Sequence, residues 1–473
     1  MKKWLFLLVS VLMAGCSLPW FGGKLPLKES QVWKRAELGP DNQATAPGIY
    51  FRDIKSGQTE AWQLAQDGVS TVTLSADVPA DGLALVATSD AAYLINRSAG
   101  KTYQWDPKAL SLVAASPSNI LFREAESGQF RVTAWNLKAV ASFKLPDGKA
   151  LGVIAPDGKT AAVATNPTLH MVNLADGTVT LAADPPSDAL AVQVVSTIRD
   201  GAEIIFGYTG SNGTVLRRYG WDGKLLGQLA VVGPACAFTA DGSRVACTGG
   251  QEPATTVVYD VAAGEALYRV LGADTPAWAA DGSLVVHRSN LEGARVVTAE
   301  GKVTETGATR LVGFLDRLTP APDNPDRFAL RDRVVDADGE LQFMVENEPK
   351  GWEYGWTDPW GKAGTEFRYV LKEPRPMGFE QLIDLPLEPK VQKAPFPAEI
   401  RLQIVAVPGD CLNLRTDAGT TAKIIRCLPG GTKLTRAPGD RVSKDGHDWL
   451  PVKTTDGVQG WVAVTTGNLG YAD

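Results

Sequence analysis

At 473 residues, 44% of them hydrophobic, the chain has room for two or three domains and enough apolar material for a sizeable core. Its 47 Lys and Arg against 53 Asp and Glu leave a net charge of −6 at pH 7, which argues against nucleic acid as a partner because no cationic excess exists to release counterions. The 48 glycines and 30 prolines, with only 5 methionines, point to many short strands joined by turns.

The chain begins with Lys2 and Lys3, followed by a mostly apolar run from Trp4 to Met13 and then Ala14-Gly15-Cys16. The run is shorter than the ~20 residues a bilayer span needs and fits a secretory signal. Leu12-Met13-Ala14-Gly15-Cys16 resembles a bacterial lipobox, with Met13 where Leu is usual. The resemblance implies diacylation of the Cys16 thiol and removal of residues 1–15. The alternative is an ordinary signal peptide with an incidental cysteine. Two acyl chains suffice for stable membrane anchoring. Ser17, rather than Asp, follows the cysteine, which favours the outer membrane where one is present. Residues 16–47, rich in Pro, Gly and Lys, read as a tether.

Residues 48–387 repeat. One unit runs Ala155-Pro156-Asp157-Gly158-Lys159, Thr160 to Ala164, Leu169 to Leu174 and Ala175-Asp176-Gly177, in the order turn, strand, strand, turn. The second turn recurs at Lys55-Ser56-Gly57, Ser98-Ala99-Gly100, Leu137-Lys138, Trp221-Asp222-Gly223, Ala262-Ala263-Gly264, Ala299-Glu300-Gly301 and Ala337-Asp338-Gly339. A spacing of about 40 residues with several short strands per period is the signature of propeller blades. The units resemble the WD40-like and YVTN-type repeats of bacterial β-propellers. An all-β propeller of eight blades is expected, with seven as the alternative. Ile49 to Ile54 with Glu60 to Leu64 reads as an outer strand pair, and the segment around Glu366 to Leu371 lacks a following turn. A ring closed by mixing N- and C-terminal strands uses both.

Besides Cys16, four of the 5 cysteines form two local pairs, Cys236 with Cys247 and Cys411 with Cys427. In an exported chain such pairs read as disulfides, although two reduced core cysteines remain the alternative for the first pair. If Thr239 to Arg244 is a hairpin loop, Cys236 falls opposite Cys247. With only 3 histidines, widely spaced, no Cys/His zinc site and no other metal or cofactor site is expected.

Residues 388–397, with three prolines, read as an interdomain linker. Beyond it, 398–473 contain Cys411-Leu412-Asn413-Leu414-Arg415-Thr416, Leu428-Pro429-Gly430-Gly431-Thr432, Trp449-Leu450-Pro451-Val452 and Gly460-Trp461-Val462. Their order and spacing resemble the bacterial SH3 (SH3b) domain, a small β-barrel. Asp417-Ala418 stand where that family has Gly-Pro. The resemblance implies cell-wall or protein binding, with Asn413, Arg415, Trp449 and Trp461 as candidate binding residues. Each also has a structural reading: Asn413 as a turn cap, Arg415 paired with a local carboxylate, both tryptophans in the core.

No nucleophile elbow, phosphate-binding loop or Cys/His peptidase pattern is present. His170, in an alternating strand, reads as surface or blade packing rather than a base, as do His287 and His447. The aromatic cluster Trp352, Tyr354, Trp356, Trp360, Phe367 and Tyr369 either binds a ligand or partner or plugs the ring where it closes. The expectation is therefore a lipid-anchored extracytoplasmic binding or scaffold protein whose partners are the membrane, through its anchor, and peptidoglycan or an envelope protein. The competing reading is a propeller hydrolase or lyase.

Overall fold

In the computed structural model the described residues run from 27 to 472, with 39–47, 65–74, 78–81, 88–90, 166–167, 184–188, 200, 211–212, 250–252, 289–291, 314–315, 332, 346–352, 355–358, 362–363, 373–386, 397–399, 406–410 and 466–467 outside them. The expected lipobox and Cys16 lie outside as well. No helix among the described residues is long and apolar enough to cross a membrane.

Eight antiparallel sheets of four or five strands follow one another and form the blades of a propeller. Blades 1 to 7 span 75–105, 110–144, 150–183, 189–231, 235–271, 273–304 and 318–344. Blade 8 takes Glu353–Tyr354 and Glu366–Lys372 from the C-terminal side and Gly48–Asp53 and Thr59–Leu64 from the N-terminal side. The ring closes, as the sequence suggested, where Gly48–Asp53 pairs with Glu366–Lys372. Tyr50 and Tyr369, opposite each other in that register, stack with ring centroids 4.9 Å apart.

The blade count follows from the packing. The second strands are apolar on both faces, because a blade is covered on both sides. Ile120 and Phe122 of blade 2 pack against blade 1, while Leu121 between them packs against blade 3. Ile49 and Phe51 of blade 8 pack on blade 1, and Tyr50 packs on blade 7. Each adjacent pair of blades shares its own hydrophobic cluster, and together the clusters run once round the ring.

The turns counted in the sequence share one backbone conformation. Gly57, Gly100, Gly177, Gly223, Gly264, Gly301 and Gly339 all have positive φ. Blade 2 lacks a glycine there, and Leu137 takes the left-handed conformation at φ 64°.

Two sequence expectations change. The tether does not reach residue 47 as free chain. Leu27–Ser30 pairs with Lys101–Trp105 as a fifth strand of blade 1, and Trp33–Leu38 pairs with Thr59–Leu64 as a fifth strand of blade 8. Leu27 and Trp33 anchor these strands by burial, while their other positions are largely Lys, Arg and Glu. The expected linker 388–397 also contains a strand: Lys390–Lys393 pairs with Glu265–Leu271 on the outer edge of blade 5. An outer blade edge offers unpaired N–H and C=O groups, and a short extended segment satisfies them.

Residues 401–471 build a separate sheet. Its strand order runs Ile424–Pro429, Cys411–Arg415, Gln459–Val464, His447–Thr454, Lys433–Arg436, Arg401–Ile404 and Leu469–Tyr471. Its core includes Leu402, Leu414, Leu450 and Val462, together with Leu271 of blade 5 and Leu387. The unit is therefore packed onto the propeller. Gln392 donates to the Ala472 carbonyl at 3.1 Å and accepts from Arg269 at 2.9 Å. Glu388 bridges Arg295 at 2.9 Å and Arg288 at 2.8 Å.

Candidate functional site

The innermost strands of a propeller border its central axis. Those of blades 2 to 7 are Leu110–Ala115, Ala150–Ile154, Ala189–Ile198, Ala235–Phe238, Ala273–Trp278 and Leu318–Ala321. They are built from Ala, Val, Leu, Ile, Ser and Thr with few other residues, and Asp274, which accepts from the Thr275 hydroxyl at 3.0 Å, is their one carboxylate. Cys236, the remaining candidate, is bonded to Cys247 directly opposite, with Cα atoms 4.1 Å apart. The second disulfide joins Cys411 to Cys427 with Cα atoms 5.5 Å apart. Cys427 faces Asn413 in the register, so this bridge is diagonal across Cys411–Arg415 and Ile424–Pro429.

The C-terminal unit gathers the four residues proposed from the sequence. Asn413 and Arg415 alternate with the buried Leu412 and Leu414, which puts both on the face away from the core. Arg415 stands opposite Trp461. Its guanidinium lies 5.8 Å from the Trp449 ring centroid and donates to the Ala422 carbonyl at 2.7 Å. Among the described residues no carboxylate takes that role. Trp449 is 2% exposed and donates to the Lys444 carbonyl at 3.0 Å, with His447 edge-on to its ring. It is a core residue braced by Arg415 and not a contact surface. Asn413, Arg415 and Trp461 are half-buried and present one polar-aromatic face.

Of the aromatic cluster, Trp360 is buried. It packs against Phe367 and donates to the Thr319 carbonyl of blade 7 at 2.9 Å. With Phe367 and Tyr369 it fills the closure between blades 7 and 8, which removes it from the binding candidates. Trp352 and Trp356 lie outside the described residues.

One feature of the propeller carried no motif. A cleft of about 450 Å³ opens between blades 3 and 4, on the side of the Asp176-Gly177 and Asp222-Gly223 turns. Met171 and Val172 belong to its lining, and Trp221 stands at the turn of blade 4. The Trp221 indole N–H donates to the Gly201 carbonyl at 2.7 Å, which orients the ring. Asp176 and Asp222 accept from the backbone N–H of Thr178 and Lys224 at 2.8 and 3.0 Å. The bond from the Thr178 backbone holds the Asp176 carboxyl below its ordinary value. In the sequence these aspartates are turn formers, and nothing local signals that two turns from neighbouring blades meet around a tryptophan.

Among the described residues no group of three or more His, Cys, Asp and Glu is placed to hold a metal. No protein-family model matches the chain, and no curated protein matches it. Among solved structures, the Dos1 propeller aligns at 12% identity over 73% of this chain and 95% of its own, with a TM-score of 0.40. The propeller domain of Cps50 (Swd1) from Myceliophteria thermophila aligns at 8% identity over 64% and 98%, with a TM-score of 0.36. The dihydro-heme d1 dehydrogenase NirN aligns at 14% identity over 85% and 76%, with a TM-score of 0.39. Likeness at this level carries nothing about activity.

Proposed function

We propose that this chain is a lipid-anchored extracytoplasmic binding and scaffold protein. The propeller is its interaction platform, and residues 398–473 are an SH3b-type module that engages peptidoglycan or an envelope protein. The observation that carries this reading is the docking of the C-terminal unit. Its Leu469–Tyr471 end and Ala472 meet blade 5 through Gln392, Leu271 and Leu387. Cys411–Arg415 and Ile424–Pro429 stand at the opposite end of the strand order. The contacts of Arg415 and Trp461 among the described residues stay within the C-terminal unit, so their face is available to a partner. The two disulfides fit an oxidising compartment.

The test uses residues 17–473, which omit the lipidated cysteine. Pelleting with purified peptidoglycan is expected for this chain and lost in an R415A/W461A variant of unchanged melting temperature. Equal retention of both proteins would refute the wall-binding assignment, and recovery only with envelope proteins would redirect it to a protein partner. In cells, Cys16→Ser is expected to move the full chain from the membrane to the soluble fraction.

A further inference from the structure

We propose that the cleft between blades 3 and 4 binds a neutral saccharide. The inference concerns the propeller and goes beyond the reading of the C-terminal unit.

The lining has the chemistry of polyhydroxyl recognition. An aromatic ring stands beside short polar groups that both donate and accept. Because the Trp221 N–H is engaged by Gly201, the indole offers the cleft apolar surface and no donor. Such surface suits the C–H face of a pyranose ring. Asp176 and Asp222 supply acceptors for sugar hydroxyls. The Asn173 carboxamide accepts the Ala175 N–H through Oδ1, and its amino group bonds no other described residue. Thr160 and Thr180 add hydroxyls. The volume of about 450 Å³ suits a short oligosaccharide and lies within the ~300–1,000 Å³ range of small-molecule sites.

The donors in the lining decide against the competing ligand, a lysine or arginine side chain. A cation needs acceptors alone. Here Asn173, Thr160, Thr178 and Thr180 bring donors as well as acceptors to the cleft, and those donors would be wasted on a cation.

The test is saturation-transfer NMR on the whole chain from residue 17. The probes are tetra-N-acetylchitotetraose, cellotetraose and maltotetraose, with trilysine as the cationic comparator. At least one tetrasaccharide is expected to show transfer. Thr180→Trp, an exposed position on the rim, is expected to abolish it without moving the melting temperature. Trp221→Ala is expected to weaken binding about tenfold, the size of one lost aromatic contact. Because Trp221 also packs between blades, the Thr180 variant is the decisive one. No transfer from any tetrasaccharide, transfer unchanged in Thr180→Trp, or binding of trilysine alone would each overturn the proposal. The R415A/W461A variant keeps the two assignments separable, because it should lose peptidoglycan and retain the tetrasaccharide.

Discussion

His287 sits between blades 6 and 7 with both ring nitrogens engaged. The Leu318 N–H donates to Nε2 at 2.8 Å, so Nε2 is the bare nitrogen and Nδ1 carries the proton given to the Thr275 carbonyl at 3.1 Å. The ring is therefore neutral. Burial pushes its pKa below the ordinary 6.5, against the opposing pull of the Thr275 carbonyl and Asp274. Burial does the same to His170. A histidine with a depressed folded value takes up its proton more readily in the unfolded chain. Stability is then complete above about pH 6.5, declines as pH falls below it and levels off beneath the folded values. Urea midpoints measured between pH 7.5 and 5 should show this decline, and His287→Ala should shrink it to the share that His170 contributes. The same variant should cost about 1–3 kcal/mol at neutral pH, because the Leu318 N–H loses its acceptor. An unchanged pH profile in the variant would exclude this role. His170 and His287 were legible in the sequence as surface or packing residues rather than bases. The bond joining two blades through one of them was not, because Leu318 is remote in sequence and arrives only when the ring forms.

At the scale of elements, the turns set the blade geometry and differ in how closely they are packed. Gly177 has φ +75°, and a Cβ there would meet the Ser142 carbonyl oxygen of blade 2 at 2.8 Å. Gly282 has φ +80° with nothing within 4 Å. Alanine at Gly282 should cost only the left-handed backbone penalty of about 1–2 kcal/mol. Alanine at Gly177 should cost clearly more, because it also pushes two blades apart. Paired melting curves check the order, and equal losses would show that the turn moves freely. The positions of these turns were readable from Asp-Gly spacing alone, since the demand for positive φ is local. The added strands Leu27–Ser30, Trp33–Leu38 and Lys390–Lys393 were not. An outer strand buries one or two side chains and leaves the rest in water, so its composition matches that of a tether or linker.

For the whole molecule, closure and docking are the two tertiary events. Arg97 of blade 1 donates to Glu60 from the N-terminal side and to Glu366 from the C-terminal side, each at 2.8 Å, with its guanidinium 3.5 Å from the Phe51 ring centroid. Burial works against its charge, but the two carboxylates outweigh it and raise its pKa. Arg97→Ala leaves Glu60 with Arg35 and Trp62 and Glu366 with Arg368, but removes the bridge between the N- and C-terminal carboxylates. The loss should be roughly 1–2 kcal/mol, below the 3–5 kcal/mol of fully buried pairs left without a partner. Limited proteolysis should then cut first at the junction of blades 8 and 1, and cleavage elsewhere would argue against the clamp. Docking predicts a further result. A fragment of residues 398–473 lacks Leu271, Leu387 and the Gln392 bond to Ala472. Its melting temperature should lie well below that of the same unit in the intact chain, as hydrogen exchange would report.

The sequence by itself determined the all-β class, the repeat and its turns, and the strand pair kept for closure, and its turn chemistry placed Cys236 opposite Cys247. These depend on local backbone demands and on period-2 burial, both written in short stretches of residues. Only the tertiary structure decided that eight interfaces complete the ring, that Trp449 and Trp360 are interior, that the C-terminal unit borrows Leu271 for its core, and that a cleft forms between blades 3 and 4. Each of those depends on surfaces far apart in the chain. Their fit is a matter of packing geometry, which no single segment encodes.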